Sequence, residues 1–288
     1  MNRLRFTSPG SNSRGMTPPV ISVLSGKGGV GKSVLAFNLA ERMAASGLRV
    51  LAIDADFSGG NLHILANCNC DVGIGEFVDS RLSLAEAVTT VSSNLDLLGM
   101  SHRYVDTDRW SAPTVARFLD RLRSEATGYN AVVIDHSSGK SHAATLVAHG
   151  SDVNLLVVVP ELTSISDAYG LFKHLHGSKA SPECRLVINR AMDAEEADHL
   201  HKKFGAVAER FVGIAPRCIG FVLEDKIIRQ AVAAQSPAAA INSESPAVQA
   251  LNRISGLLLR DLLTGVTERS AISTQDNKVN PAEADIRE

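Results

Sequence analysis

VISVLSGKGGVGKS (residues 20–33) decides the fold. A run of β-branched and leucine residues passes through a glycine-rich turn into a helical stretch that opens at Lys32. Ser25 to Ser33 satisfies G-x-x-x-x-G-K-[ST] in the strand–loop–helix setting that this motif requires. The glycines let successive backbone N–H groups curl around phosphate oxygens, and the helix N-terminus adds partial positive charge. Gly26, Lys27, Gly28, Gly29, Val30, Gly31, Lys32 and Ser33 are therefore the expected phosphate-binding set. Lys32 is expected to reach the β and γ phosphates, and the Ser33 hydroxyl to ligate Mg²⁺. Lys27 lies directly after the first glycine, where an ordinary phosphate loop needs no cation. Its locality allows either a solvated side chain or a charge aimed at a partner.

Downstream, strand-like runs alternate with helical ones. The strand candidates are residues 20–25, 49–54, 95–100, 130–135, 153–159, 185–189 and a weaker 218–222. Most are continuous apolar runs, the pattern of strands buried on both faces of a parallel sheet. Helical stretches fall at 32–46, 113–126, 140–149, 164–177, 194–209, 226–235 and 246–263. The alternation predicts one doubly wound α/β domain, with a mostly parallel sheet and helices on both faces. Residues 1–18, rich in Ser, Pro, Gly, Asn and Arg, read as a flexible leader; 19–266 as the domain; 267–288 as a polar, disordered tail.

With 288 residues and 44% hydrophobic composition, the chain is long and apolar enough for a sizeable core. Its formal charge of −2 gives no support to nucleic acid as a partner. Cys68, Cys70, Cys184 and Cys218 are too few and too scattered for a disulfide framework, and read as incidental thiols. No run approaches the length of a membrane span, so the default location is the cytoplasm.

Beyond the second strand run stands IDADFSGGNLHIL (53–65). Asp54 and Asp56 are two residues apart at a strand end and so point the same way. Such a pair beside a phosphate loop can support Mg²⁺ and orient water; turn chemistry explains it equally well.

The GKGGVGKS string (26–33) resembles the deviant phosphate loop of the MinD/ParA family of P-loop ATPases. The resemblance implies an ATP- and Mg²⁺-dependent homodimer in which Lys27, the signature lysine, crosses to the nucleotide of the other subunit. It implies a water-orienting role for Asp56, 24 positions after Lys32, and matches Asn61 to an asparagine of switch I. Asp135, closing AVVID (131–135), becomes the Walker B residue that binds Mg²⁺ mainly through water, and Asn189 the strand-end residue that meets adenine. Lys27, Lys32 and Asp56 are thus the catalytic candidates, and Ser33, Asp54 and Asp135 the metal candidates.

PELTSISDAYGLFKHL (160–175) and GFVLEDKIIRQAVAAQSP (220–237) are similar to segments of the flagellar FlhG/FleN branch. That similarity implies a regulator of flagellar number or placement with a protein partner and slow, partner-stimulated hydrolysis. The alternatives are a nucleotide-binding regulator with little hydrolysis and a ParA-like DNA or cargo positioner.

Departures from the branch are His136-Ser137-Ser138 after Walker B, Ser58 and His63 in switch I, and Val222-Leu223 in the adenine loop. His136 reads first as a local hydrogen-bonding residue and second as a catalytic base. The stripe Leu251, Ile254, Leu258 and Leu262 reads first as a face packed on its own domain. A membrane-surface helix at the chain's end is unsupported, because DNKVNPAEADIRE (276–288) is acidic and lacks an apolar face.

Overall fold

The computed structural model describes residues 17–56, 59–101, 110–177 and 181–276, with side chains as far as Leu262. Its strands are β1 (Val20–Leu24), β2 (Val50–Ala55), β3 (Thr89–Ser92), β4 (Leu95–Leu98), β5 (Ala131–His136), β6 (Val153–Val158), β7 (Cys184–Ala191) and β8 (Arg217–Leu223). The longer helices are α1 (Lys32–Ala45), α5 (Ala112–Glu125), α6 (His142–Gly150), α7 (Leu162–His176), α8 (Ala194–Val212), α9 (Lys226–Ala233) and α11 (Pro246–Asp276). Four short ones complete the order: α2 (Leu62–Leu65), α3 (Ile74–Val78), α4 (Leu84–Ala87) and α10 (Ala238–Ile241).

Among the described residues the strands form one sheet in the order β3-β4-β2-β5-β1-β6-β7-β8. Every pairing is parallel except β3 with β4 at the edge. The doubly wound architecture read from the alternation is therefore the one observed.

Residue alternation along each strand sorts side chains into cores on opposite faces. Ile21 and Val23 of β1 join Leu35, Leu39 and Met43 of α1 and Leu251, Ile254 and Leu258 of α11. On the opposite face, Val20 packs with Phe77, Phe118 and Leu122, while Leu24 packs with Leu171, Phe172 and Phe204. The Leu251–Leu262 stripe is thus buried within its own domain. Where the sequence suggested a polar tail from Thr267, helical backbone continues to Asp276. No helix of the described residues is long and apolar enough to cross a membrane.

With β1 central and its neighbours parallel, the carboxyl ends of β1, β2, β5, β6 and β7 lie along one edge. Each crossover returns the chain to the opposite edge, which leaves the connecting loops free to build a site there.

Candidate functional site

The loop from Ser25 to Gly31 is fixed from several sides. Ser25, buried at the end of β1, donates its hydroxyl to the Lys27 carbonyl at 3.0 Å, and the Gly139 N–H donates to the Ser25 carbonyl at 2.8 Å. Gly29 and Gly31 have φ of 79° and 83°, a left-handed backbone that an L side chain rarely adopts. Gly26 answers a different need: a Cβ there would lie 2.2 Å from the Asp167 carbonyl carbon of α7. Val30 turns its side chain into the core, so its contribution to the loop is backbone alone. Its carbonyl accepts a bond from Asn189 Nδ2 at 2.8 Å, which ties the end of β7 to the loop. Helix α1 opens with no side chain capping its first turn.

Two carboxylates and a lysine are buried beneath the loop. Lys32 Nζ stands 2.5 Å from Asp135 Oδ1 and 3.4 Å from Ser33 Oγ, with Lys32 7% and Asp135 0% exposed. Burial raises the Asp135 carboxyl above its ordinary range, against the opposing pull of the Lys32 charge. Its other oxygen, Oδ2, is buried without a hydrogen-bond partner. Asp54, the register partner of Asp135 across β2 and β5, is also fully buried, and burial together with Asp135 pushes it up to about 7. Its oxygens accept backbone N–H bonds from Asp56 and Leu62.

The sequence-nominated residues Lys27, Gly28, Gly29, Gly31, Lys32, Ser33, Asp56 and Asn61 line one cleft of about 480 Å³. Asn189 lies in an adjoining cleft of about 360 Å³ with Arg190, Leu223 and Arg229; Gly29, Gly31, Val34 and Val232 line both. Asp54 lines neither and faces the loop of Asp56. Sequence reasoning missed Ile64, Ser138 and Val232 as cleft walls. It also missed the partners of Lys27, whose Nζ donates to Glu161 at 2.8 Å and Thr163 at 2.9 Å. Those two residues sit in a segment quoted for its resemblance, and their charge and hydroxyl were the signal available there.

His136 points the other way. Its Nε2 is 2.8 Å from Ser22 Oγ, which is 2.7 Å from Ser151 Oγ. Burial lowers its imidazole to about 3, so it is neutral at physiological pH and serves as a hydrogen-bonded core residue. Of the remaining departures, His63 lies on α2 and Ser58 is outside the described residues. The four cysteines are free thiols. No cluster suited to a metal ion is formed by His, Cys, Asp and Glu alone among the described residues. The donor set here is instead a hydroxyl and a carboxylate beside a phosphate cradle, as a hard, oxygen-seeking cation requires.

Residues 21–238 match the family described as the CobQ/CobB/MinD/ParA nucleotide binding domain. The chain belongs to that family. Among curated members, the antiactivator FleN of Pseudomonas aeruginosa is 27% identical over 216 residues, 75% of this chain and 77% of FleN. The flagellum site-determining protein YlxH of Helicobacter pylori is 25% identical over 250 residues, 86% and 84% of the two chains. Among solved members, MinD of Pyrococcus horikoshii complexed with Mg-ADP superposes with a TM-score of 0.69 at 21% identity, covering 84% of this chain and 96% of that one. A chain of the MinC:MinD cell division protein complex of Aquifex aeolicus gives 0.66 at 21% identity, covering 84% and 95%. At such identities the solved members speak for the fold.

Proposed function

We propose that this family member is an ATP-dependent switch of the MinD/ParA type that pairs with a second copy when it holds ATP and separates after hydrolysis. The observation that carries the reading is the buried Lys32–Asp135 pair directly beneath a glycine cradle, with one Asp135 oxygen left without a partner. A buried polar atom of that kind requires a ligand or water to satisfy it. The loop amides and Lys32 would hold the phosphates. Ser33 would ligate Mg²⁺, and Asp135 would hold it through water. Bound Mg²⁺ would neutralise charge on the phosphate oxygens. Asp56 would orient the attacking water, Lys27 would serve the partner's nucleotide, and Asn189 would meet the base. Asp54, nominated as a metal residue, has both oxygens on loop N–H groups, so its support of Mg²⁺ would be indirect.

The likeness to FleN and YlxH along three quarters or more of the chain supports a role in flagellar number or placement, carried out in the cytoplasm with a protein partner. His136, facing the core, gives no ground for a low-turnover regulator. Single-turnover phosphate release from Mg²⁺-ATP tests the reading: wild type should release phosphate, and the rate should rise with protein concentration as dimers form. Lys32→Ala should lose most nucleotide affinity in isothermal titration while its circular dichroism remains that of the folded protein. Unchanged ATP affinity would remove the site assignment.

A further inference from the structure

Asp54 and Asp135 are adjacent in the sheet, yet their carboxylates have different tasks. Asp135 holds Lys32. Asp54 is turned to the loop that follows its own strand: the Asp56 N–H donates to Oδ1 at 3.2 Å, and the Leu62 N–H donates to Oδ2 at 3.0 Å. Between these ends stands Gly60, so close that a Cβ on it would lie 2.5 Å from Oδ2 and 2.6 Å from Oδ1. One fully buried carboxylate therefore grips the loop at its start and at its finish, against a glycine that leaves room for it.

We propose that Asp54 is a positioning residue for ATP hydrolysis, whose carboxylate clasps the loop ends so that Asp56 and Asn61 face the phosphates. The inference rests on the function proposed above. Each carboxyl oxygen accepts one of these N–H groups, and burial removes the water that would compete for them. The grip acts on the backbone of Asp56 itself and on the amide directly after Asn61; among the described residues of this loop, these are the two polar ones that line the cleft. Displacement of about 1 Å at a reacting group costs on the order of 10²-fold in rate, so loosening the grip should cost hydrolysis far more than binding.

The test compares full-length Asp54→Ala, Asp54→Asn and Gly60→Ala with wild type. In the nucleotide-free protein, the Leu62 amide of Asp54→Ala should exchange with deuterium about tenfold faster or more, the scale of one hydrogen bond. All three variants should keep ATP affinity within about threefold and lose single-turnover hydrolysis by about 10²-fold. Gly60→Ala is the sharpest arm, because it presses on the clasp while leaving the aspartate in place. Unchanged Leu62 exchange in Asp54→Ala, or normal hydrolysis in Gly60→Ala, would overturn the proposal. Weakened Mg²⁺-dependent ATP affinity in Asp54→Asn, with Gly60→Ala normal, would make Asp54 a metal ligand instead. If Asp54→Ala fails to fold, the other two variants decide on the same readouts. Should wild type itself release no phosphate, the proposed function fails, while the exchange measurement still judges the clasp.

Discussion

Lys32 is buried against the Asp135 carboxylate, and removing either partner would leave the other buried without its pair. Asp56 stands at the rim of the same cleft, where phosphoryl transfer to water needs a positioned nucleophile more than covalent help. Asp56→Ala should therefore keep nucleotide occupancy and lose hydrolysis by about 10²-fold or more, measured as phosphate release in a single turnover. Unchanged turnover would make Asp56 a turn residue. His136 carries a separate consequence. Its folded-state value of about 3 lies below the ordinary 6.5, so in acid the unfolded chain binds a proton that the folded chain refuses. Stability from this residue is complete above pH 6.5 and is lost as pH falls toward 3, by about 2 kcal/mol at pH 5. Urea titrations at pH 7 and pH 5 should show wild type losing about that much more than His136→Gln. Equal losses would mean that the imidazole is not held neutral. The glycine-rich loop was legible residue by residue because its motif sets residue types at fixed spacing. The targets of Asp54 and the facing of His136 were not, because an aspartate after a strand looks the same whether it grips a loop or a metal.

Elements were legible in proportion to their length and burial. Seven strands stand where continuous apolar runs predicted them, since strands covered on both faces need no polar alternation. The missed strand, β3, has four residues, TTVS, alternately half-buried and exposed, on the antiparallel edge. The helices α2, α3, α4 and α10 have four or five residues each, too few to show a helical period. Helix α11 shows how far a stripe can be read: Leu251, Ile254, Leu258 and Leu262 predicted a packed face and are buried. The backbone beyond them lacks that stripe. Leu258→Ala, at a fully buried position between α11 and the sheet, should destabilise the protein by about 2–5 kcal/mol in chemical denaturation. A loss under about 0.5 kcal/mol, the scale of a surface change, would mean that the helix is not docked.

At the scale of the whole molecule the proposed switch turns on Lys27. It rests on Glu161 and Thr163 at the start of α7, within its own subunit, in a partly exposed ion pair. Exposed pairs contribute little, so exchanging this one for a phosphate contact would cost little. Lys27→Ala should accordingly bind ATP as a single chain and fail to pair. The family and the parallel sheet were readable from one motif and the strand pattern; the second copy was implied only by resemblance, because nothing in one chain's apolar periodicity records a contact made by a lysine. The direct test is the mass of Asp56→Ala by multi-angle light scattering, in Mg²⁺-ATP and in Mg²⁺-ADP. A nucleotide-driven dimer would give twice the chain mass in ATP and a single chain in ADP; the same mass in both nucleotides would rule out the proposed switch.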